Sequence, residues 1–117
     1  MSTAERLRQA MAPTGLEIVQ GVYKGDAQTY LSFGLMTVPA DFADDGAQTE
    51  RWLIDLHLFA PHSVNTTALR RQIKSCIRGA GFTDPDMTDV SQQGTASDGT
   101  EQHVVFEFED AAGWGEE

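Results

Sequence analysis

The segment that most constrains the fold is residues 50–60, ERWLIDLHLFA, in which apolar side chains alternate with a mixed set. A period of two indicates a β-strand, because successive side chains of a strand point to opposite faces. One face carries Trp52, Ile54, Leu56 and Leu58, and the other carries Leu53, Asp55, His57 and Phe59. One unbroken apolar face predicts a sheet that packs on helices. The half-apolar second face predicts partial cover by something else, for which a neighbouring subunit is a candidate.

Two helices are predicted, one on each side of this strand in the sequence. Ser2 and Glu5 have the spacing of a capping box, which predicts a short helix over residues 3–11. A second helix is predicted over residues 66–78, with Asn65 as its N-cap and two glycines just beyond its end. The apolar stripe of this second helix consists of Leu69, Ile73, Cys76 and Ile77.

Further strands follow from the same alternation. Besides 50–60, strands are predicted at residues 29–38, 82–90 and 101–109. Pro85 places the 82–90 strand at an edge or confines its pairing to the second half. Residues 16–23 also favour a strand, but Gly21 weakens that segment. In the last strand Val104, Phe106 and Phe108 are expected to point inward. Polar loops containing glycine are predicted at residues 39–48 and 91–100.

These elements predict an α+β fold: an antiparallel-rich sheet of about four strands flanked by two helices, in the order α-β-β-α-β-β. The chain has 117 residues, which corresponds to one ordinary domain. We place that domain at residues 1–110 and a C-terminal tail at residues 111–117.

The charge of the chain is strongly acidic and unevenly distributed. The formal net charge is −10, with 8 Lys and Arg against 18 Asp and Glu. Such a chain is not expected to bind a phosphate backbone on its own, because that affinity comes from clustered cations. The four cations of residues 61–83 precede a C-terminal third that has no Lys or Arg. Two interpretations remain open: the unlike regions attract copies of the chain head to tail, or they meet inside one domain.

No reaction centre is evident in the sequence. A single cysteine, Cys76, is expected to act as a small buried hydrophobe and excludes a cysteine zinc cluster. His57, His62 and His103 are interpreted as scattered surface or interface residues, so no metal or other cofactor is predicted. No apolar run approaches the roughly 18 residues of a membrane span, and the N-terminus lacks an apolar signal region. The sequence therefore predicts an intracellular protein that is not an enzyme and has no membrane partner.

The order of elements resembles a known family. A tyrosine-bearing strand (YLSFGLM), an acidic loop and the strand WLIDLHLF are followed by a helix of the ALRRQIKSCIR type that closes on Gly79-Ala80-Gly81-Phe82. A loop and the strand HVVFEFE end the domain. Over residues 16–109 this pattern resembles the tail completion, or tail terminator, proteins of long-tailed bacteriophages and prophages.

The resemblance implies a role as well as a fold. It implies an α+β structural protein that assembles as a ring, commonly of six subunits, at the head-proximal end of the tail tube. The ring would end tube growth and provide the head-joining surface. The implied partners are other copies of the chain, the tail tube protein and the head–neck connector protein. The implied location is the virion tail, and the host cytoplasm during assembly. No functional residue is carried over from the family.

Six residues are candidates for the contact between subunits. They are Leu53, His57 and Phe59 on the mixed face of the strand, and Arg70, Lys74 and Arg78 on a basic stripe of the second helix. Rings use heterologous contacts between unlike surfaces, which such a pair of patches would supply. An acidic bore would let DNA pass without specific binding. The alternatives are a head–tail connector or neck protein, a cytoplasmic binding module of unknown ligand, and an enzyme whose site assembles only in space.

Overall fold

The computed structural model describes residues 2–42, 48–90 and 101–110, and for residues 39–42, 48–50 and 101 it describes the backbone only. The helices are α1 (Thr3–Met11) and α2 (Thr67–Gly79), with a 3-10 turn at Ala12–Thr14. The strands are β1 (Glu17–Gln20), β2 (Tyr30–Phe42), β3 (Gln48–Pro61), β4 (Asp86–Asp89) and β5 (Glu101–Glu109).

The five strands form one sheet in the order β1-β2-β3-β5-β4. Strand β1 runs parallel to β2, and every other pairing is antiparallel. The predicted α+β class with an antiparallel-rich sheet is confirmed, and the weak segment at 16–23 adds a short fifth strand. That strand ends at Gln20, just before Gly21, whose φ of 88° lies in the region that glycine adopts without strain.

The core lies on one face of the sheet, where both helices pack. It joins Leu7 and Met11 of α1 and Ile73 and Ile77 of α2 to the inward side chains of the strands. The buried strand residues are Leu31, Phe33, Ile54, Leu56, Leu58, Val104, Phe106 and Phe108. The predicted inward faces of β3 and β5 are therefore confirmed, except that Trp52 is only half-buried and lies outside the core. Cys76 packs at the border of this core as a small hydrophobe.

The starts of the two helices differ from each other in how they are capped. The predicted capping box of α1 forms, with Glu5 N donating to Ser2 Oγ at 3.1 Å. Helix α2 begins one residue later than predicted, so Thr66 and not Asn65 occupies its N-cap. The Thr66 hydroxyl makes no capping bond there, because it accepts from Arg70 Nε at 2.9 Å and donates to a glutamine side chain. Asn65 still accepts from the amide of Thr67 at 3.0 Å.

Two strand boundaries also differ from the sequence prediction. Residues 39–48 were expected to form a loop, but β2 continues to Phe42 and β3 already begins at Gln48. A register shift between Pro39 and Asp41 accommodates the proline within the ladder. Strand β4 pairs only after Pro85, at the sheet edge, as predicted. The loop at 91–100 and the tail at 111–117 lie outside the described residues.

A buried ion pair joins helix α1 to the residue that follows β5. The Asp110 side chain is fully buried and accepts hydrogen bonds from Thr3 Oγ1 at 2.7 Å and from the Arg6 guanidinium. Arg6 also donates to Ala80 O at 2.9 Å and lies over the Phe82 ring. Helix α1, the C-terminal end of α2 and the end of β5 are thereby held at one point.

We expect the substitution Asp110→Ala to lower the free energy of unfolding by about 3–5 kcal/mol, because it leaves a partly buried guanidinium without its carboxylate. Urea denaturation followed by circular dichroism measures this. Arg71→Ala, at an exposed position of α2, is the matched control and should change stability by less than about 0.5 kcal/mol. Equal effects of the two substitutions would contradict a structural role for the Asp110 ion pair.

Candidate functional site

The face of the sheet opposite the helices is the candidate functional site. No helix of the described chain lies on it, since α1 and α2 both pack on the other side. We call it the uncovered face. The side chains that β2, β3, β5 and β4 place on it are Tyr30, Ser32, Met36, Leu53, Asp55, His57, Phe59, His103, Val105, Glu107, Glu109, Asp86 and Thr88. The four side chains of β3 on this face are half-buried. The predicted mixed face of β3 is therefore the middle of the uncovered face.

A row of stacked rings crosses one end of the uncovered face. Tyr23 stacks on Tyr30, Tyr30 on Phe59 and Phe59 on His103, with centroid distances of 4.0, 5.0 and 4.3 Å. The strand register produces the row, because Phe59 lies directly opposite both Tyr30 and His103. Each ring covers the face of the next, so the row stabilises the sheet and presents mainly ring edges outward.

The first ring of the row is fixed by hydrogen bonds. Tyr23 Oη donates to Glu17 and accepts from the amide of Ala27 at 2.8 Å. The bond to the Glu17 carboxylate raises the pKa of Tyr23, so this phenol keeps its proton.

Next to the ring row, His57 and His103 contact each other, although the sequence analysis treats them as scattered residues. His57 Nδ1 lies 2.7 Å from His103 Nε2, and His57 Nε2 lies 2.7 Å from Asp55 Oδ2. Partial burial lowers the pKa of His103, the charge of His57 lowers it further, and Asp89 opposes the change. Alternation had placed His57 and His103 on outward faces, but the register that brings them together is not a local property of the sequence.

A row of carboxylates crosses the other end of the uncovered face. Asp55, Glu107 and Asp86 are direct register partners on β3, β5 and β4. Like charges directly opposite each other destabilise a sheet. Among the described residues no cation forms an ion pair with Glu107 or Asp86. This carboxylate row lines an open groove of about 350 Å³, in which Met36 is 57% exposed.

Two residues beside the carboxylate row, Gly34 and Arg51, contact or adjoin acidic side chains of the uncovered face. A Cβ atom at Gly34 would lie 2.7 Å from Asp55 Oδ1, so a larger residue there would displace this carboxylate. Beside the row, Arg51 binds Glu109 through two hydrogen bonds, which lower the pKa of Glu109.

The predicted basic stripe lies on α2, on the other side of the sheet. Arg70 contacts Asp89 at 3.3 Å, and Arg78 contacts Asp84. Two of the three stripe residues therefore meet acids of the C-terminal third within the same domain. Lys74 and its neighbour Arg71 have no acidic partner among the described residues. The six predicted interface residues thus form two separate groups, Leu53, His57 and Phe59 on the uncovered face and Arg70, Lys74 and Arg78 on α2.

The described residues contain no group of three or more His, Cys, Asp or Glu side chains arranged to hold a metal ion. The pKa of the Cys76 thiol is raised by burial, which disfavours the thiolate that a nucleophile requires. Within the described ranges no helix has the length and apolar character needed to cross a membrane.

The fold is similar to that of one chain in a virion. The solved structure is described as the "Virion of native gene transfer agent (GTA) particle". The two chains align with a TM-score of 0.57 at 15% sequence identity, over 92% of this chain and 89% of the other. At this identity the likeness establishes the fold alone. No protein-family model matches the sequence, and a search of curated proteins finds no relative.

The carboxylate row leads to a stability prediction. We expect Glu107→Gln to raise the free energy of unfolding by about 0.2–1 kcal/mol at low ionic strength, because it removes repulsion from both neighbouring strands. Added salt should narrow the difference from wild type, since exposed charges are screened. Urea denaturation at two salt concentrations measures both effects.

Asp26→Asn removes one acid at an exposed position away from the row, and it is the matched control. A loss of stability in Glu107→Gln, with no change in the control, would mean that Glu107 has a stabilising cationic partner and is not repelled by its neighbours.

Proposed function

We propose that this chain is a structural virion protein that caps the tail tube as an oligomeric ring, ends tail growth and provides the head-joining surface. The observation that carries the proposal is the fold similarity to a chain of a virion particle over nearly the whole length of both chains. The sequence resemblance to tail terminator proteins supports the finer role. The proposed partners are further copies of the chain, commonly six in all, the tail tube protein and the head–neck connector protein.

The charges of the uncovered face support a path for DNA through such a ring. With Asp55, Glu107 and Asp86 in one row and a net charge of −10, the face repels phosphates. We place the end of the carboxylate row with Glu107 and Asp86 toward the bore of the ring, where DNA passes without specific binding, and leave the β3 side chains for contact between subunits. No enzymatic step and no cofactor are proposed.

Contacts between subunits are proposed at two unlike patches. The half-buried apolar and ring side chains Leu53, His57 and Phe59 offer an area that a neighbouring copy can cover. Lys74, with Arg71 beside it, makes the outer side of α2 positive. Unlike patches on opposite sides of the sheet suit the heterologous contacts of a closed ring. Arg70 and Arg78 contribute less, because they already pair with Asp89 and Asp84.

A test of the proposed role is electron microscopy of particles from producing cells that lack this protein. We expect tails of uncontrolled length together with tailless heads, and a return to normal particles when the wild-type gene is supplied. Tails of normal length that fail to join heads would favour the neck-protein alternative. Complete, normal particles would contradict any role in tail assembly.

A second test addresses the path for DNA. We expect Glu107→Lys to reduce DNA delivery by assembled particles, because a cation in each subunit would hold the phosphates as DNA passes. Particle counts and tail lengths from microscopy separate this effect from failed assembly. Asp26→Lys introduces the same change of charge at an exposed position outside the carboxylate row and should deliver DNA normally. Equal delivery by the two variants would place Glu107 outside the bore.

A further inference from the structure

The contact between the two histidines of the uncovered face carries an inference that does not depend on the ring. His57 Nδ1 and His103 Nε2 are 2.7 Å apart, which is hydrogen-bond distance. One of the two nitrogens must donate and the other must accept, because a protonated ring nitrogen has no lone pair to offer. The contact therefore exists only while at least one of these two nitrogens is without a proton.

The geometry accommodates one added proton on the pair but not a second. Asp55 Oδ2 accepts the hydrogen of His57 Nε2 at 2.7 Å. With one added proton, His57 Nδ1 can donate to a neutral His103 Nε2. A second proton on His103 Nε2 would set two donors against each other, in a site that is already partly removed from solvent.

The other groups around the pair do not remove this conflict. Asp89 acts on His103 through its charge, but it is also bound to Arg70. Across the sheet the ring row brings Tyr30 and Tyr23, which are neutral in this pH range, with Glu17 bound to Tyr23. Glu107 lies on the same face of β5 beyond Val105. None of these groups accepts the hydrogen that a doubly protonated pair would direct between the rings.

We propose that His57 and His103 form an acid-sensitive latch between β3 and β5: the latch is closed while the pair carries at most one proton beyond its neutral state and opens when both imidazoles are protonated. Opening separates His103 from His57 and loosens its stack on Phe59, whose centroid lies 4.3 Å from that of His103. The shape of the uncovered face then changes between neutral and mildly acidic solution, while the core on the other side of the sheet is left in place.

The direct test is nuclear magnetic resonance of the imidazole nitrogens in the full-length labelled chain, titrated from pH 8 to pH 4.5. His62 is exposed and serves as the internal reference. We expect the pair to titrate in two steps that belong to both residues together, with the second step at lower pH than His62. In His57→Asn the remaining His103 should titrate in a single step shifted toward that of His62. Simultaneous titration of all three histidines in the wild type would overturn the proposal.

Stability provides a second readout with a defined sign. The pKa of His103 in the folded chain lies below its unfolded value of about 6.5, so the stabilisation is complete above pH 6.5 and is lost as pH falls toward the lowered pKa. Within that window the unfolding equilibrium constant should rise by up to about tenfold per pH unit for one proton. His103→Asn should flatten this dependence, whereas His62→Asn should not.

The two readouts keep the proposal falsifiable if a variant fails to fold, because the wild-type titration needs no substitution. An unchanged pH dependence in a folded His103→Asn variant would overturn it. A ring that forms normally in a chain whose histidines titrate independently would leave the proposed function standing and remove only the latch.

Discussion

The pairing of β3 with a neighbour on each side determines the rest of the structure. Because side chains alternate with a period of two, a slip of one residue against β2 or β5 would exchange the apolar face of β3 for its mixed face. Burial of Ile54, Leu56 and Leu58 against the helices therefore selects one register. The same register places Phe59 between Tyr30 and His103 on the opposite face. The core and the candidate site are two consequences of one strand pairing.

Features that depend on near neighbours in the sequence could be predicted, and features that depend on register could not. The capping box of α1, the inward face of β5 and the edge position of β4 follow from spacings of a few residues. The contact of His57 with His103 spans 46 positions, and that of Arg6 with Asp110 spans 104. Alternation fixes the face on which such a side chain lies but does not identify its partner. The loop predicted at 39–48 was placed too early for a related reason, since a bulge lets the proline-containing segment up to Phe42 stay in the ladder.

The net charge could be predicted from the sequence, but the pairing of charged side chains in the fold could not. The cations of residues 61–83 and the acids that follow them left two interpretations open, and Arg70 and Arg78 meet Asp89 and Asp84 within the folded domain. Surface pairs of this kind contribute little to stability. They do, however, make α2 less positive than its sequence suggests. Among the described residues, Glu107 and Asp86 of the uncovered face form no ion pair with a cation, so that part of the face keeps its negative charge.

The uncovered face combines two features that both disfavour adhesion to a polyanion. The rings of the row cover each other's inner faces, which leaves bases or sugars less aromatic surface on which to stack. The carboxylates repel phosphates and also repel one another across three strands, which opposes folding. Arrangements that oppose folding without a local compensation are expected at functional sites. The carboxylates therefore agree with the path for DNA that we propose, and the ring side chains agree with the proposed cover by a neighbouring copy.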